Sequence, residues 1–387
     1  MNPANGPIDA DNHYYEPRDF CTRHIEPRFR DRAIRVDEKD RIWVGDRPFT
    51  FLKNWSFEEY TKPGALRELL RKKRFDDQGD SATTPVLAEY RDRDARLARM
   101  DEQGLAAAIL FPTVGVCLEH FMRDDADQLY ANIRAFNAWL EEDWGFAYQD
   151  RIFAAPMLSL LDVDRSTQEL DHVLERGARV VSLRPAPIGG RSPADPHFDP
   201  FWARADEAGV AVAFHIGESG YNEMMSVHWG ERANPASHEQ SAFQWSSFYG
   251  DRPIMDTLSS MIFLNLFGRF PNLRVLSVEN GSLFVSYLMR VMDKMGGMGR
   301  NGPWPGGRIK ERPSAILRRH VFVSPYHEED VVALAGEIGA SQVLFGSDYP
   351  HAEGLANPVE FAEIIAALSP EEQRMIMREN TAGLLGL

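Results

Sequence analysis

DPFWARADEAGVAVAFHIG, residues 199–217, contains one complete structural unit. DPFWARADEAG reads as a helix that closes on Gly209, a residue suited to the position just beyond a helix C-terminus. VAVAFH reads as a strand. Its run is continuously apolar, as expected of a parallel strand covered on both faces, and it stops at an ionisable residue, His215. A helix feeding a buried strand is the repeating unit of a parallel α/β sheet.

The same alternation recurs in both directions. The runs LAAAILFP (105–112), RIFAAPML (151–158), ARVVSLRP (178–185), LRVLSVENG (273–281), HVFVSP (320–325) and SQVLFGSDYP (341–350) each follow a helix-like segment. With IDADNH (8–13) they make eight strands. Eight such units predict a (β/α)8 TIM barrel rather than an open doubly wound sheet, with residues 1–387 as a single domain. Three stretches exceed the repeat. Residues 14–85, after the first strand, are expected to form a long insertion or lid. Residues 217–250 are expected to form an extended loop after the fifth strand. GGMGRNGPWPGG, within 295–312, is expected to be a loop. Loops of such length in a compact domain are usually functional or disordered.

Composition narrows the function classes. The chain of 387 residues is 43% hydrophobic and 26% charged, with a formal net charge of -15. That balance argues against nucleic acid as a partner, because phosphate binding needs a basic face. The two cysteines, Cys21 and Cys117, form no Cys-x-x-Cys pair, so a disulfide framework and a thiolate zinc site are not expected. MNPANGPID lacks the basic and apolar segments of a secretory signal, and no apolar run approaches the length of a membrane span. A soluble cytoplasmic protein with a small-molecule substrate is expected, with no membrane partner.

The ionisable residues sit where such a barrel keeps its chemistry, at the C-terminal ends of strands. The first strand ends in Asp11 and His13, the fifth in His215, the sixth in Glu279 and the eighth in Asp348, with His351 just beyond. Each has an ordinary reading: His215 a core histidine, Glu279 and Asp348 turn residues. Together, carboxylates and imidazoles converging on one mouth are a metal-site pattern. Asp9, Asp11 and His13 have the same parity, which predicts one shared strand face with Asp9 a step below. Glu16 is a candidate ligand, a partner for His13 or a salt-bridge partner of Arg18. Arg184, closing the fourth strand, either grips a substrate carboxylate or neutralises the acidic site. Tyr326 and His351 are candidate mouth-lining residues. His228 and His238, on the loop after strand five, are expected to serve loop packing or a subunit contact.

At these residues the chain resembles the amidohydrolase superfamily, in its amidohydrolase-related branch (amidohydrolase 2). Asp9-Ala-Asp11-Asn-His13 is similar to that family's first-strand Asp-x-His-x-His, with Asp11 in the place of the first histidine. FHIGES matches the fifth-strand histidine, GSDYPH the eighth-strand aspartate, and ENTAGLLGL the closing helix with Asn380. The resemblance implies a divalent metal (Zn, Mn or Fe) held by Asp11, His13, His215 and Asp348. It implies a metal-dependent hydrolase or carboxy-lyase acting on a small organic, aromatic or cyclic substrate, with Asp348 as acid and base. It also implies a homo-oligomer. Glu279 stands where many relatives carry histidine and is a further candidate for ligation and proton transfer. A ligand set this rich in carboxylates suits iron or manganese at least as well as zinc. It leaves open two iron ions and, as the alternative activity, a nonheme diiron monooxygenase.

Overall fold

The computed structural model describes residues 5–53, 55–66, 70 and 82–387. The fold is mixed α/β. The opening stretch folds as its sequence predicts: a helix at Asp199–Ala208, Gly209 left-handed at φ 63°, and a strand at Ala211–His215. Among the described residues, seven parallel strands carry the architecture: β1 (Ile8–Tyr14), β2 (Ala107–Pro112), β3 (Ile152–Ala154), β4 (Val180–Leu183), β5 (Ala211–His215), β6 (Arg274–Val278) and β7 (Val321–Ser324). They pair as a three-stranded sheet β1-β2-β3 and a four-stranded sheet β7-β6-β5-β4. Single parallel bridges join neighbouring segments: Met157 to Ser182, Val323 to Val343, and Asn12 to Tyr349.

The expected eighth strand differs. Residues 343–349 form no continuous ladder. They are held by separate hydrogen bonds, from the N–H of Leu344 to the carbonyl of Val323 (2.9 Å), of Ala10 to Phe345 (2.8 Å) and of His13 to Tyr349 (2.7 Å). At Gly346 this segment runs close against its neighbours. A Cβ on Gly346 would collide with Ser324 and lie 2.6 Å from the Cβ of Asp11.

The strands bury both faces by simple alternation. Ile109, Phe111, Ala211, Ala213, Leu276 and Leu344 share one apolar cluster. Leu110, Val212, Phe214, Val275 and Val343 belong to the other, against the helices. Helices over 93–103, 126–143, 163–175, 251–263 and 283–298 cover that outer face. Asp92, Asp125 and Asp162 cap the first three by accepting backbone N–H bonds, each satisfying donors the helix itself leaves free.

In β1 the alternation breaks, and this corrects the shared face expected of Asp9, Asp11 and His13. The register with β2 slips between Asp9 and Asn12. An extra residue in one strand reverses the parity beyond it. Ala10 lies in the inner cluster and Tyr14 in the outer one. Asp9 accepts from the Asn12 side chain (2.9 Å), and Asn12 in turn accepts from Arg96 of the 93–103 helix, which is fully buried. Asp9 and Asn12 thus turn toward the helices while Asp11 and His13 turn inward.

The long insertion contains antiparallel pieces. Strands Ile34–Val36, Ile42–Val44 and Arg47–Pro48 form one small sheet, and Glu59–Thr61 pairs with Thr83–Pro85. The extended loop after β5 is largely helical turns, including Ala242–Phe248. The glycine-rich loop begins later than expected, because the 283–298 helix runs through Gly296 and Gly297. Among the described residues no helix is long and apolar enough to cross a membrane.

Candidate metal centre and active-site cavity

β1, β5, β6 and the 343–349 segment bring their terminal residues to one point. Backbone conformation does much of the aiming. Glu279 and Asp348 both adopt left-handed φ, 53° and 56°. This conformation is uncommon outside glycine. Val278 belongs to the inner cluster, so simple alternation would turn Glu279 away. The left-handed turn brings it back.

Two overlapping sets of ligand atoms result. Asp11, His13, His215 and Glu279 form one, and His13, Glu279, Asp348 and His351 the other, with all atoms of each set within 4.8 Å of one another. His13 Nε2 lies 3.3 Å from Asp11 Oδ1, 3.4 Å from Asp348 Oδ1 and 3.2 Å from His215 Nε2. His215 Nε2 lies 3.3 Å from Glu279 Oε2 and 3.5 Å from Asp11 Oδ1. Ligand atoms about 2.1 Å from one ion are separated by about 3.0–3.4 Å, so the donor set fits a first-row divalent metal. Asp11 Oδ1 is buried without a hydrogen-bond partner, as a ligand oxygen awaiting a cation would be.

Protonation states agree with ligation. Burial alone would raise the Asp11 carboxyl, but contacts with His13 and His215 outweigh it and hold the group below the usual carboxylate range. Burial, with His351 and His215 nearby, pushes the His13 imidazole well down, keeping it neutral. His215 directs Nδ1 to the Ile216 carbonyl (2.8 Å), which leaves Nε2 for the cluster. Burial, reinforced by Asp348 and Asp11, pushes Glu279 well up, so without a cation this carboxyl holds a proton that a bound metal would displace.

Asp348 and His351 form a distinct pair. The Thr113 hydroxyl donates to the Tyr14 carbonyl (2.7 Å), so its oxygen accepts from His351 Nε2–H (2.9 Å). His351 Nδ1 then faces Asp348 Oδ1 at 2.6 Å. Burial, with Glu353 and Asp11 nearby, pushes the Asp348 carboxyl well above its ordinary range. A proton shared by this pair is the consequence.

Three expected residues stand elsewhere. Glu16 belongs to neither set. Its carboxylate accepts the N–H groups of Val114 (3.0 Å) and Gly115 (2.9 Å), and burial raises it to about 7. Arg18 is no partner for it, since that side chain pairs with Asp40 and Glu58. Arg184 does not line the main cavity. It is tied to Glu119 (3.4 Å) and donates to the Ser219 carbonyl (2.6 Å), clamping the loop after β5. Tyr326 donates to the Glu279 carbonyl (2.8 Å) and so steadies that turn from behind. His228 and His238 do not line the cavity either.

Beside the cluster opens a cavity of about 500 Å³. His13, His215, Glu279 and His351 form its floor. Much of its wall comes from the insertion, through Phe51, Trp55 and Tyr60. Tyr15 stacks on Tyr60, with centroids 3.6 Å apart and planes at 7°. Sequence reading missed Tyr15, Thr113, Glu59 and Glu353. Tyr15 carried a usable signal, being two residues beyond His13 on the inward parity. The others are brought in by packing across the chain.

Comparison with known proteins follows the same lines. The amidohydrolase family profile matches residues 8–387. A crystal structure of an amidohydrolase from Mycobacterium avium subsp. paratuberculosis K-10 is 39% identical, covers 100% of both chains and superposes with a TM-score of 0.87. Dihydroxybenzoic acid decarboxylase from Polaromonas sp. JS666, solved with bound manganese and the inhibitor 2-nitroresorcinol, is 16% identical, covers 99% of this chain and 97% of its own, and gives a TM-score of 0.63. A 2-amino-3-carboxymuconate-6-semialdehyde decarboxylase from Dictyostelium discoideum is 23% identical over 239 residues, 61% of this chain and 62% of that relative's length.

Proposed function

The chain belongs to the amidohydrolase family, and on that premise we propose that it is a metal-dependent carboxy-lyase for a small aromatic acid. The observation that carries this reading is the adjacency of two devices. Asp11, His13, His215 and Glu279 would hold one divalent ion, and the Asp348–His351 pair stores a proton 3.4 Å from His13. The ion would supply a counter-charge for the substrate carboxylate and Lewis-acid polarisation of a neighbouring oxygen. Manganese, iron and zinc all suit three oxygen- and nitrogen-donor types in this mixture.

The chain's own groups do the rest. Tyr15, Tyr60, Trp55 and Phe51 flank the ring and exclude water from it. Asp348 delivers its proton to the ring carbon that bears the carboxylate. The C–C bond to that carboxylate then breaks, its electron pair stays with the newly protonated carbon, and carbon dioxide leaves. Water admitted once the product has left returns a proton to Asp348, and His351 Nδ1 accepts the hydrogen bond that holds it there. The names and bound ligands of the decarboxylase relatives support this choice over hydrolysis, in which the same Asp348 would act first as base.

The architectural part of the reading is a single (β/α)8 barrel over 1–387, with 343–349 as its eighth stave and 14–85 as a lid. The isolated bridges at Val343 and Tyr349 support it. A second reading has a specific observation behind it. Beside the first ligand set lie Asp348 and His351, which form a second set with His13 and Glu279; with the Glu279 carboxylate bridging and His13 on one ion only, Asp348 and His351 would hold a second ion and diiron oxygenation would be the activity.

Metal content by mass spectrometry, followed by assay of released carbon dioxide from a panel of aromatic acids, tests the choice. One equivalent of metal with metal-dependent release supports the carboxy-lyase. Two equivalents of iron with oxygen uptake on reduction replaces it with the second reading.

A further inference from the structure

The helix over 283–298 is apolar on two faces. Phe284, Val285, Leu288, Met289 and Met292 are buried, and the helix packs against those at Asp251–Phe263 and Pro313–His320. On its outer face Leu283, Tyr287, Met295 and Met298 recur at helical spacing and are 75%, 62%, 42% and 70% exposed. A run of exposed apolar side chains along one face marks an interaction surface.

Charge is a second, independent observation. Residues 283–319 contain eight lysines and arginines against two acids, Asp293 and Glu311, a net charge of +6 in a chain whose net charge is -15. Both acids are engaged, Asp293 by the N–H and hydroxyl of Ser314 and Glu311 by Arg319. Arg290, Lys294, Arg300, Arg308, Lys310 and Arg312 are exposed and form no ion pair with a described residue. Elsewhere exposed arginines find carboxylates, as Arg165 does with Asp127 (2.6 Å) and Arg252 with Asp256 (2.8 Å). Arg290 and Lys294 follow Leu283 and Tyr287 by two helical turns, on the same face. The other four cations lie on the loop over 299–312.

An apolar stripe bordered by unpaired cations is the pattern of a helix that lies on an anionic lipid surface. We propose that the 283–298 helix and the 299–312 loop dock this protein on a bilayer containing anionic lipids, with Leu283, Tyr287, Met295 and Met298 entering the boundary between headgroups and acyl chains and the six cations meeting lipid phosphates. The helix lies along the surface in this mode, which needs no membrane-spanning segment. A second copy of the chain fits the face less well. A twofold contact there would bring Arg290 and Lys294 against their own counterparts, and like charges across an interface oppose association. The docking is independent of the reaction at the metal centre.

Flotation of the full-length protein with vesicles is the test. Vesicles of phosphatidylcholine alone are compared with vesicles that also contain phosphatidylglycerol, at low salt. The expected result is at least roughly tenfold tighter binding to the anionic vesicles, weakening as salt is added. Two double variants assign the binding to this face: Leu283→Ser with Tyr287→Ser, and Arg290→Gln with Lys294→Gln. All four side chains are exposed, so the fold is retained, which thermal melts check. Each double variant is expected to lower the affinity roughly tenfold. Absence of binding to anionic vesicles overturns the proposal, and so does equal binding to both vesicle types. Parent-like binding in either variant also overturns it, since apolar contact and charge are both required. Sedimentation velocity without vesicles addresses the rival occupant: a dimer that dissociates in the Leu283→Ser, Tyr287→Ser variant gives the face to a second copy and overturns lipid docking.

Discussion

His13 and His215 bring their Nε2 atoms to 3.2 Å of each other across the interior. His215 has committed its other nitrogen to the Ile216 carbonyl, so its Nε2 carries a lone pair. Only a proton or a cation can lie between two such nitrogens. With Asp11 Oδ1 3.3 Å from one and 3.5 Å from the other, these atoms form a group that could hold a metal ion.

Replacing either histidine by alanine removes a nitrogen for which water is a poor substitute. We expect His13→Ala and His215→Ala each to lower metal content roughly tenfold or more, measured by mass spectrometry on purified protein. Glu16→Gln should retain its metal and lose stability instead, by about 1–3 kcal/mol, since it weakens the support of the Val114 and Gly115 amides. Metal loss in that variant would return Glu16 to the ligand set.

Glu279 and Asp348 should separate by role. Glu279→Gln is expected to weaken metal binding, because it takes an anionic donor from both ligand sets. Asp348→Asn is expected to keep one equivalent of metal and lower kcat by about 100-fold or more, the usual scale for a proton-transfer group. Equal loss of metal and turnover in Asp348→Asn would make this aspartate a ligand.

Gly346 is a steric requirement of the site. An added Cβ would lie 2.6 Å from the Cβ of Asp11, with Ser324 on its other side. Overpacking of a rigid interior costs roughly 1–3 kcal/mol. We expect Gly346→Ala to lower both the melting temperature and metal affinity, because the displaced residue is Asp11. A variant with native metal affinity would show that the segment moves without disturbing β1.

Glu218 gives a stability change with pH. Burial raises its carboxyl to about 7, against 4.5 for the free group. Between those values the native state holds a proton that the unfolded chain has lost, so this group's contribution falls as pH rises through that window. Glu218→Gln stays neutral throughout and can still accept from the Gly220 N–H. Thermal melts from pH 4 to pH 8 should show the variant gaining on the parent, by up to about 3 kcal/mol. A constant difference would contradict the shift.

The strand ends were legible because each is a local event: an apolar run interrupted by one ionisable residue. His215, Glu279 and Asp348 all announce themselves this way, and Asp11 and His13 by the density of ionisable groups in IDADNH. The bulge in β1 was not, since its signal is a register with β2, almost a hundred residues away. The fate of Arg184 was hidden for a similar reason. Nothing in SLRPAP discloses that Glu119 and the Ser219 carbonyl will occupy its guanidinium.

The bonds from Ser347 to Asp9 join residues 338 positions apart: its N–H donates at 3.0 Å and its hydroxyl at 2.5 Å. During synthesis, therefore, β1 waits with one edge unpaired until nearly the whole chain has left the ribosome. Contacts of such separation make folding slow and expose the early strand to wrong partners. Charge on an unpaired strand opposes edge-to-edge association, and β1 carries two acids, Asp9 and Asp11. Asp11, a member of the candidate metal group, thereby also helps keep the nascent strand apart from its neighbours.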